Sequence, residues 1–297
     1  DQTRYLYVQP KNKIDVLFLG SSHVHCNVNT QLLWDEYGMA AYLMTGAEQP
    51  LWNSYYNLKE ALKTQKPKLV VLDMFCPSRF YDDFQPGWAD ENLDGMRISL
   101  NKLEAVYTSV QEEQSHFFLG FTEYHSRYDQ LTAEDFQNFV WNRKTQERWK
   151  GYTPLNRHAE LTEPDMSHVT TSQEMTEKSK EYFEKIVELT KKEGIALALI
   201  SGPYLLEERD QEVYNSIGQL AEKDGLLFWN TNTPAHYREM GLDFSTDYAD
   251  HAHLNEAGGA KYTAYLGKWL SQNYSFPDRR GQKGYESWEN QLMKSGE

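Results

Sequence analysis

The stretch Lys13-Ile14-Asp15-Val16-Leu17-Phe18-Leu19-Gly20-Ser21-Ser22-His23-Val24-His25 decides how the rest of the chain is read. Val16 to Leu19 is a continuous apolar run that stops at a glycine. Such a run fits a strand covered on both faces, as in a parallel sheet between helical layers. Gly20 permits a tight turn and close backbone approach. From Asn29 through Gln31-Leu32-Leu33-Trp34-Asp35-Glu36-Tyr37 the apolar residues recur at helical spacing. A serine between a buried strand and a helix sits at the carboxyl edge of the sheet, where open α/β folds place their ligands. Amides at the helix start can stabilise an anion there. Taken alone, Gly20-Ser21-Ser22 reads equally well as a plain polar turn.

Working outward, Ala40 to Gly46 reads as a second strand and Leu51 to Thr64 as an amphipathic helix, broken at Lys66-Pro67-Lys68. Leu69 to Phe75 is a third strand, ended by Cys76-Pro77. This β-α-β-α-β alternation predicts a parallel sheet with right-handed crossovers. The rhythm resumes with a helix over Ser172–Glu193 stopped by Gly194, a strand over Ile195–Ile200 and a helix over Glu207–Lys223. A strand over Leu226–Asn230 follows, then a polar loop, then a helix over Glu256–Ser271 capped by Asn255. The expected fold class is α/β, a three-layer sandwich with a five-stranded parallel sheet. Between its halves, Ser78 to Thr176 shows no clean strand but many aromatic and acidic residues. About a hundred residues are too many for a loop. They predict a mostly helical insertion, residues 78–176, within one domain spanning 1–297. Thr132-Ala133-Glu134-Asp135 reads as a helix start there. The tail from Phe276 is polar and carries no usable signal.

The net charge of −14 argues against a nucleic-acid partner and against docking on an anionic membrane. Aromatic residues make up 14% of the chain, which suits contact with sugars as well as core filling. No apolar run approaches the roughly 18 residues of a membrane span. Cys26 and Cys76 have no zinc-type spacing and leave their bonding state open, although both follow strands expected to be neighbours. His23, His25 and Cys26 crowd one turn, and three ligands so close seldom complete a metal site. Neither metal nor other cofactor is expected.

The decisive second half is Asp247-Tyr248-Ala249-Asp250-His251-Ala252-His253-Leu254-Asn255. A serine nucleophile needs a base, and the base needs a carboxylate that fixes its tautomer. Asp250 and His253 supply both at one loop before the last helix. Together the two halves resemble the SGNH/GDSL hydrolase superfamily, over roughly residues 13–76 and 177–272, and imply its flavodoxin-like fold. The resemblance implies Ser22 as nucleophile, His253 as base and Asp250 as orienting acid. The three-residue spacing prefers them over His251 and Asp247. It also implies an oxyanion hole from the amides of Ser22 and Gly46. The superfamily's asparagine after the third strand is missing, since that place reads Phe75-Cys76-Pro77-Ser78-Arg79.

The motifs look most like membrane-anchored SGNH proteins of bacterial cell-envelope pathways. That likeness implies an extracytoplasmic O-acyltransferase or esterase, anchored upstream of Asp1. It would work beside an integral-membrane O-acyltransferase on a polysaccharide or teichoic acid polymer. His125 and Arg127 of the insertion are expected near Ser22, as acceptor-binding groups or substitutes for the missing asparagine. The competing reading is a non-catalytic glycan-binding module on the same scaffold, for which an intact Ser22, Asp250 and His253 would be unnecessary. A nucleotide-binding Rossmann domain is disfavoured by the lack of a G-x-G-x-x-G pattern.

Overall fold

Val16 and Phe18 enter one apolar core and Leu17 and Leu19 the other, because successive side chains of a strand point to opposite faces. The structure, a computed structural model, describes residues 2–80, 82–84, 86–118 and 149–289. Its strands are β1 (Val16–Gly20), β2 (Ala41–Thr45), β3 (Leu69–Asp73), β4 (Ala196–Ser201) and β5 (Leu227–Asn230). They form one parallel sheet in the order β2-β1-β3-β4-β5. This is the flavodoxin-like order, with its switch point beside β1.

Eleven α-helices are found among the described residues. They are α1 (Gln2–Leu6), α2 (Ser22–Asn27), α3 (Thr30–Tyr37), α4 (Leu51–Ala61), α5 (Phe75–Arg79), α6 (Ala89–Leu93) and α7 (Leu100–Ser109). After these come α8 (Glu177–Glu193), α9 (Glu208–Asp224), α10 (Pro234–Met240) and α11 (Glu256–Asn273). Leu58 of α4, Ile186 of α8 and Ile217 of α9 pack on the Leu17 side of the sheet. Leu33 of α3, Tyr237 of α10 and Leu266 of α11 pack on the Phe18 side. Each such side chain contributes about 1.5–3 kcal/mol by burial, so both faces need cover and the sandwich follows. No described helix is long and apolar enough to cross a membrane.

Four readings of the sequence are corrected or refined. The Gly20-Ser21-Ser22 turn leads directly into a helix of its own, α2, before the expected helix begins at Thr30 under an Asn29 cap. The third strand ends at Asp73, and Phe75 already belongs to α5. Cys26 and Cys76 are free, buried thiols; burial pushes the first up to about 12 and the second well above the ordinary range. The tail is part of the core. Arg279 forms a two-pronged ion pair with Asp15 at 2.7 and 2.9 Å. Trp288, fully buried, donates its indole N–H to the Ala41 carbonyl at 3.0 Å. The buried Lys150 ties this tail to the N-terminal segment through Ser287 and Gln9, both at 2.8 Å.

Within 78–176, the described residues 86–118 carry α6, α7 and two single 3-10 turns. Residues 149–175 run without helix or strand and touch the loop before α11 through an Ala159–Tyr248 bridge. The expected helix start at Thr132 lies outside the described residues, as do His125 and Arg127.

Candidate active site

Ser21 is fully buried, and its Oγ caps α2 by accepting the His23 N–H at 3.2 Å. The cap turns Ser21 inward and leaves Ser22, the first residue of the helix, at the sheet's carboxyl edge. Close packing beneath the turn requires Gly20. A Cβ there would lie 2.6 Å from Asp73 Cβ and 2.8 Å from Val24 Cγ2.

The loop that carries His253 is shaped by its own carboxylate. Asp250 Oδ1 accepts the backbone N–H groups of Ala252 at 2.9 Å and His253 at 3.0 Å, an Asx-type turn. The same oxygen lies 2.8 Å from His253 Nδ1. The three-residue spacing thus does two jobs: the aspartate folds the turn that carries the imidazole and then orients that imidazole. Asn27, at the end of α2, fixes the loop against that helix by accepting the Leu254 N–H at 2.9 Å. Asn255 caps α11 immediately afterwards, accepting from Ala257 and Gly258 at 3.1 Å each.

These constraints bring Ser22 Oγ to 2.9 Å from His253 Nε2. With a carboxylate facing Nδ1, the proton belongs on Nδ1 and Nε2 is left to accept from the serine. Burial pushes His253 below its usual value against the pull of Asp250, with His23 and Arg157 adding to the depression. Its neutral, proton-accepting form is therefore the one favoured near pH 7. Burial works the other way on Asp250. The Ala252 amide, the His253 ring and the Arg157 guanidinium overcome it and hold the carboxyl below the usual range.

No family model and no curated protein matches this chain. Among solved structures, one described as a "putative acylhydrolase" from Bacteroides fragilis NCTC 9343 aligns at 12% identity with a TM-score of 0.45. The alignment covers 91% of this chain and 94% of that one. A likeness this weak carries no argument. The fold rests on the strand order, and the site on its own distances.

The remaining predicted residues divide. Asp247 is engaged elsewhere, accepting from Lys261 Nζ and from the Asp243 N–H, both at 2.7 Å. His251 lines the cleft but makes no contact with Asp250 of the kind His253 makes. The Gly46 N–H meets the Gly20 carbonyl at 3.4 Å, at the long end of hydrogen bonding. Among the described residues, the Ser22 N–H has no such partner. His23 is buried away from solvent, stacked on Phe75 at 4.6 Å, with Nδ1 3.5 Å from Asp73. His25 Nδ1 instead faces Thr45 Oγ1 at 3.1 Å, and burial, helped by His253, pushes it down to about 3. These two histidines do not converge. Among the described residues no three His, Cys, Asp or Glu side chains are placed to hold a metal ion.

The sequence reading missed the walls of the site. A cleft of about 480 Å³ is bounded by Ser22, His253, Glu48, Phe75, Phe80, Arg79 and Arg157, among others. Arg157 pairs with the outer oxygen of Asp250. Arg79, at the end of the Phe75–Arg79 helix after the third strand, is held by Glu207 at 2.8 Å and Asp210 at 3.2 Å. Arg157 comes from residues 78–176, where no periodicity marks a lone arginine in an irregular stretch.

Proposed function

We propose that this chain is an extracytoplasmic serine O-acyltransferase or esterase that works on a cell-envelope or exopolysaccharide polymer through an acyl-enzyme on Ser22. The observation that carries the chemistry is the unbroken chain from Ser22 Oγ to His253 at 2.9 Å and from His253 to Asp250 at 2.8 Å. In the first half-reaction Ser22 Oγ attacks an ester carbonyl as its proton passes to His253 Nε2. Asp250 holds the imidazolium without taking its proton. The developing oxyanion is within the province of the Ser22 amide, and His253 returns the proton to the departing alkoxide. In the second half-reaction His253 takes a proton from an incoming hydroxyl, which attacks the acyl-serine, and returns it to Ser22 Oγ as the Oγ–acyl bond breaks.

A sugar hydroxyl as that acceptor is supported by the mixture in the cleft of aromatic faces, Phe75 and Phe80, with the polar groups of Glu48, Arg79 and Arg157. Such a mixture suits a ring with apolar faces and a hydroxyl rim. The place outside the cytoplasm, beside an integral-membrane acyl donor, is supported by the resemblance of the Gly20-Ser21-Ser22-His23 and Asp250-to-Asn255 motifs alone. The test is acyl transfer from p-nitrophenyl acetate to soluble acetyl-free polysaccharides, alginate and teichoic acid included, read by mass spectrometry of the polymer. Ester formation that disappears in Ser22→Ala supports the reading. Release of p-nitrophenol at equal rates in both proteins removes it.

A further inference from the structure

The loop after β2 carries Glu48 into the cleft beside Ser22, and two adjacent side chains of α6 grip it from behind. Glu91 Oε1 accepts the Ala47 N–H at 3.0 Å. Asn92 Nδ2 donates to the Ala47 carbonyl at 2.9 Å and to the Trp88 carbonyl at 3.0 Å. Both backbone polar groups of Ala47 are therefore taken by neighbours on one short helix. The Asn92 amide cannot be turned over, because its oxygen would then face two carbonyl oxygens. Its Oδ1 consequently stands against Gly46, buried and without a hydrogen-bond partner among the described residues. A Cβ on Gly46 would lie 2.0 Å from that oxygen. Glu48 is held at a φ of 45°, a left-handed conformation that a residue with a side chain keeps only where its surroundings over-determine it.

We infer that Glu91 and Asn92 are positioning residues, which clamp Ala47 and thereby fix the Gly46–Glu48 backbone at the reaction centre of Ser22. The inference rests on the reading of Ser22 as the nucleophile. It gives the segment between β3 and β4 a part in the reaction beyond forming a wall. It also gives the glycine at position 46 a second reason, since room for the Asn92 amide is needed there whatever the Gly46 N–H does.

The experiment follows kcat and KM for a small activated ester in single and double variants, together with hydrogen exchange at the Ala47 amide. Asn92→Ala should lower kcat by about 10–100-fold, the usual consequence of a displaced reacting group, with KM changed less than about twofold. Glu91→Gln keeps an acceptor for Ala47 and should retain wild-type kcat and slow exchange, whereas Glu91→Ala should lose both. Gly46→Ala should be severe alone but cost little more in the Asn92→Ala background, because the two substitutions disturb one contact. A folded Asn92→Ala protein with wild-type kcat, or fully additive losses with Gly46→Ala, overturns the clamp. Should Asn92→Ala fail to fold, the Glu91→Gln and Glu91→Ala pair decides by the same readings. A wild-type protein whose Ser22 is never acylated overturns the reading of the site itself, a result distinct from normal acylation in every clamp variant.

Discussion

Ser22 Oγ and His253 Nε2 lie 2.9 Å apart although 231 positions separate them in the chain. The contact exists because β1 and the loop before α11 end at the same edge of the sheet. Asn27 then locks the two ends together through the Leu254 amide. Ser22 and His253 thus stand on opposite sides of one hydrogen-bonded seam, so a change in the seam should be felt as a change in their distance.

The two histidines of the loop should behave very differently. His253→Ala should lower ester turnover by about 10²–10⁴-fold, the range for loss of a positioned general base. His251→Ala should stay within a few-fold of wild type, since His253 alone has both Ser22 and Asp250 as partners. Steady-state kinetics of the two variants under identical conditions checks this; equal losses would assign the loop in the wrong register.

The pH profile should respond to Arg157. The base is neutral His253, so the rate rises with pH through its midpoint, which the fold places below the ordinary value of 6.5. Arg157 is one of the cations that lower that midpoint. Arg157→Ala should therefore move the acid limb to higher pH. The plateau rate should fall less than about tenfold, because the Arg157 side of the pair is largely exposed to solvent and screened by it. Asp250→Asn removes a group that raises the His253 midpoint. It should move the limb the opposite way while sharply lowering the plateau, through loss of the tautomer-setting acceptor. Rates of p-nitrophenol release between pH 4 and 9 distinguish the two variants.

The C-terminal segment should be required for stability. Trp288 is fully buried and bonded to β2 through the Ala41 carbonyl. Trp288→Ala should cost about 3–5 kcal/mol, as for other large aromatic truncations in cores. Chemical denaturation measures it, and a change below about 1 kcal/mol would show that the tail is not part of the cooperative fold.

The sheet was legible because Val16–Leu19, Leu69–Leu72 and the stretch from Ala196 are short, uninterrupted apolar runs bounded by turn residues, a pattern that fits a doubly covered strand. The meeting of Ser22, His253 and Asp250 was legible only through the resemblance of two short motifs, since each half alone reads equally well as a polar loop at a strand or helix boundary. What escaped has no periodic signature. Arg157 and Asn92 act through single side chains in irregular or very short elements, and α2 is too short to develop an apolar stripe. Trp288 sits among polar neighbours, so its burial is set by the distant Ala41 and Lys150 rather than by anything nearby in sequence. His125 and Arg127, expected at the site, lie outside the described residues.

On the proposed reading, Ser22 carries the acyl group. Intact-protein and peptide mass spectrometry after brief exposure to p-nitrophenyl acetate tests it most directly. A single acetyl group on the peptide containing Ser22, absent in Ser22→Ala and much slower to form in His253→Ala, is the predicted result. An unmodified Ser22, or equal labelling in wild type and His253→Ala, would contradict it.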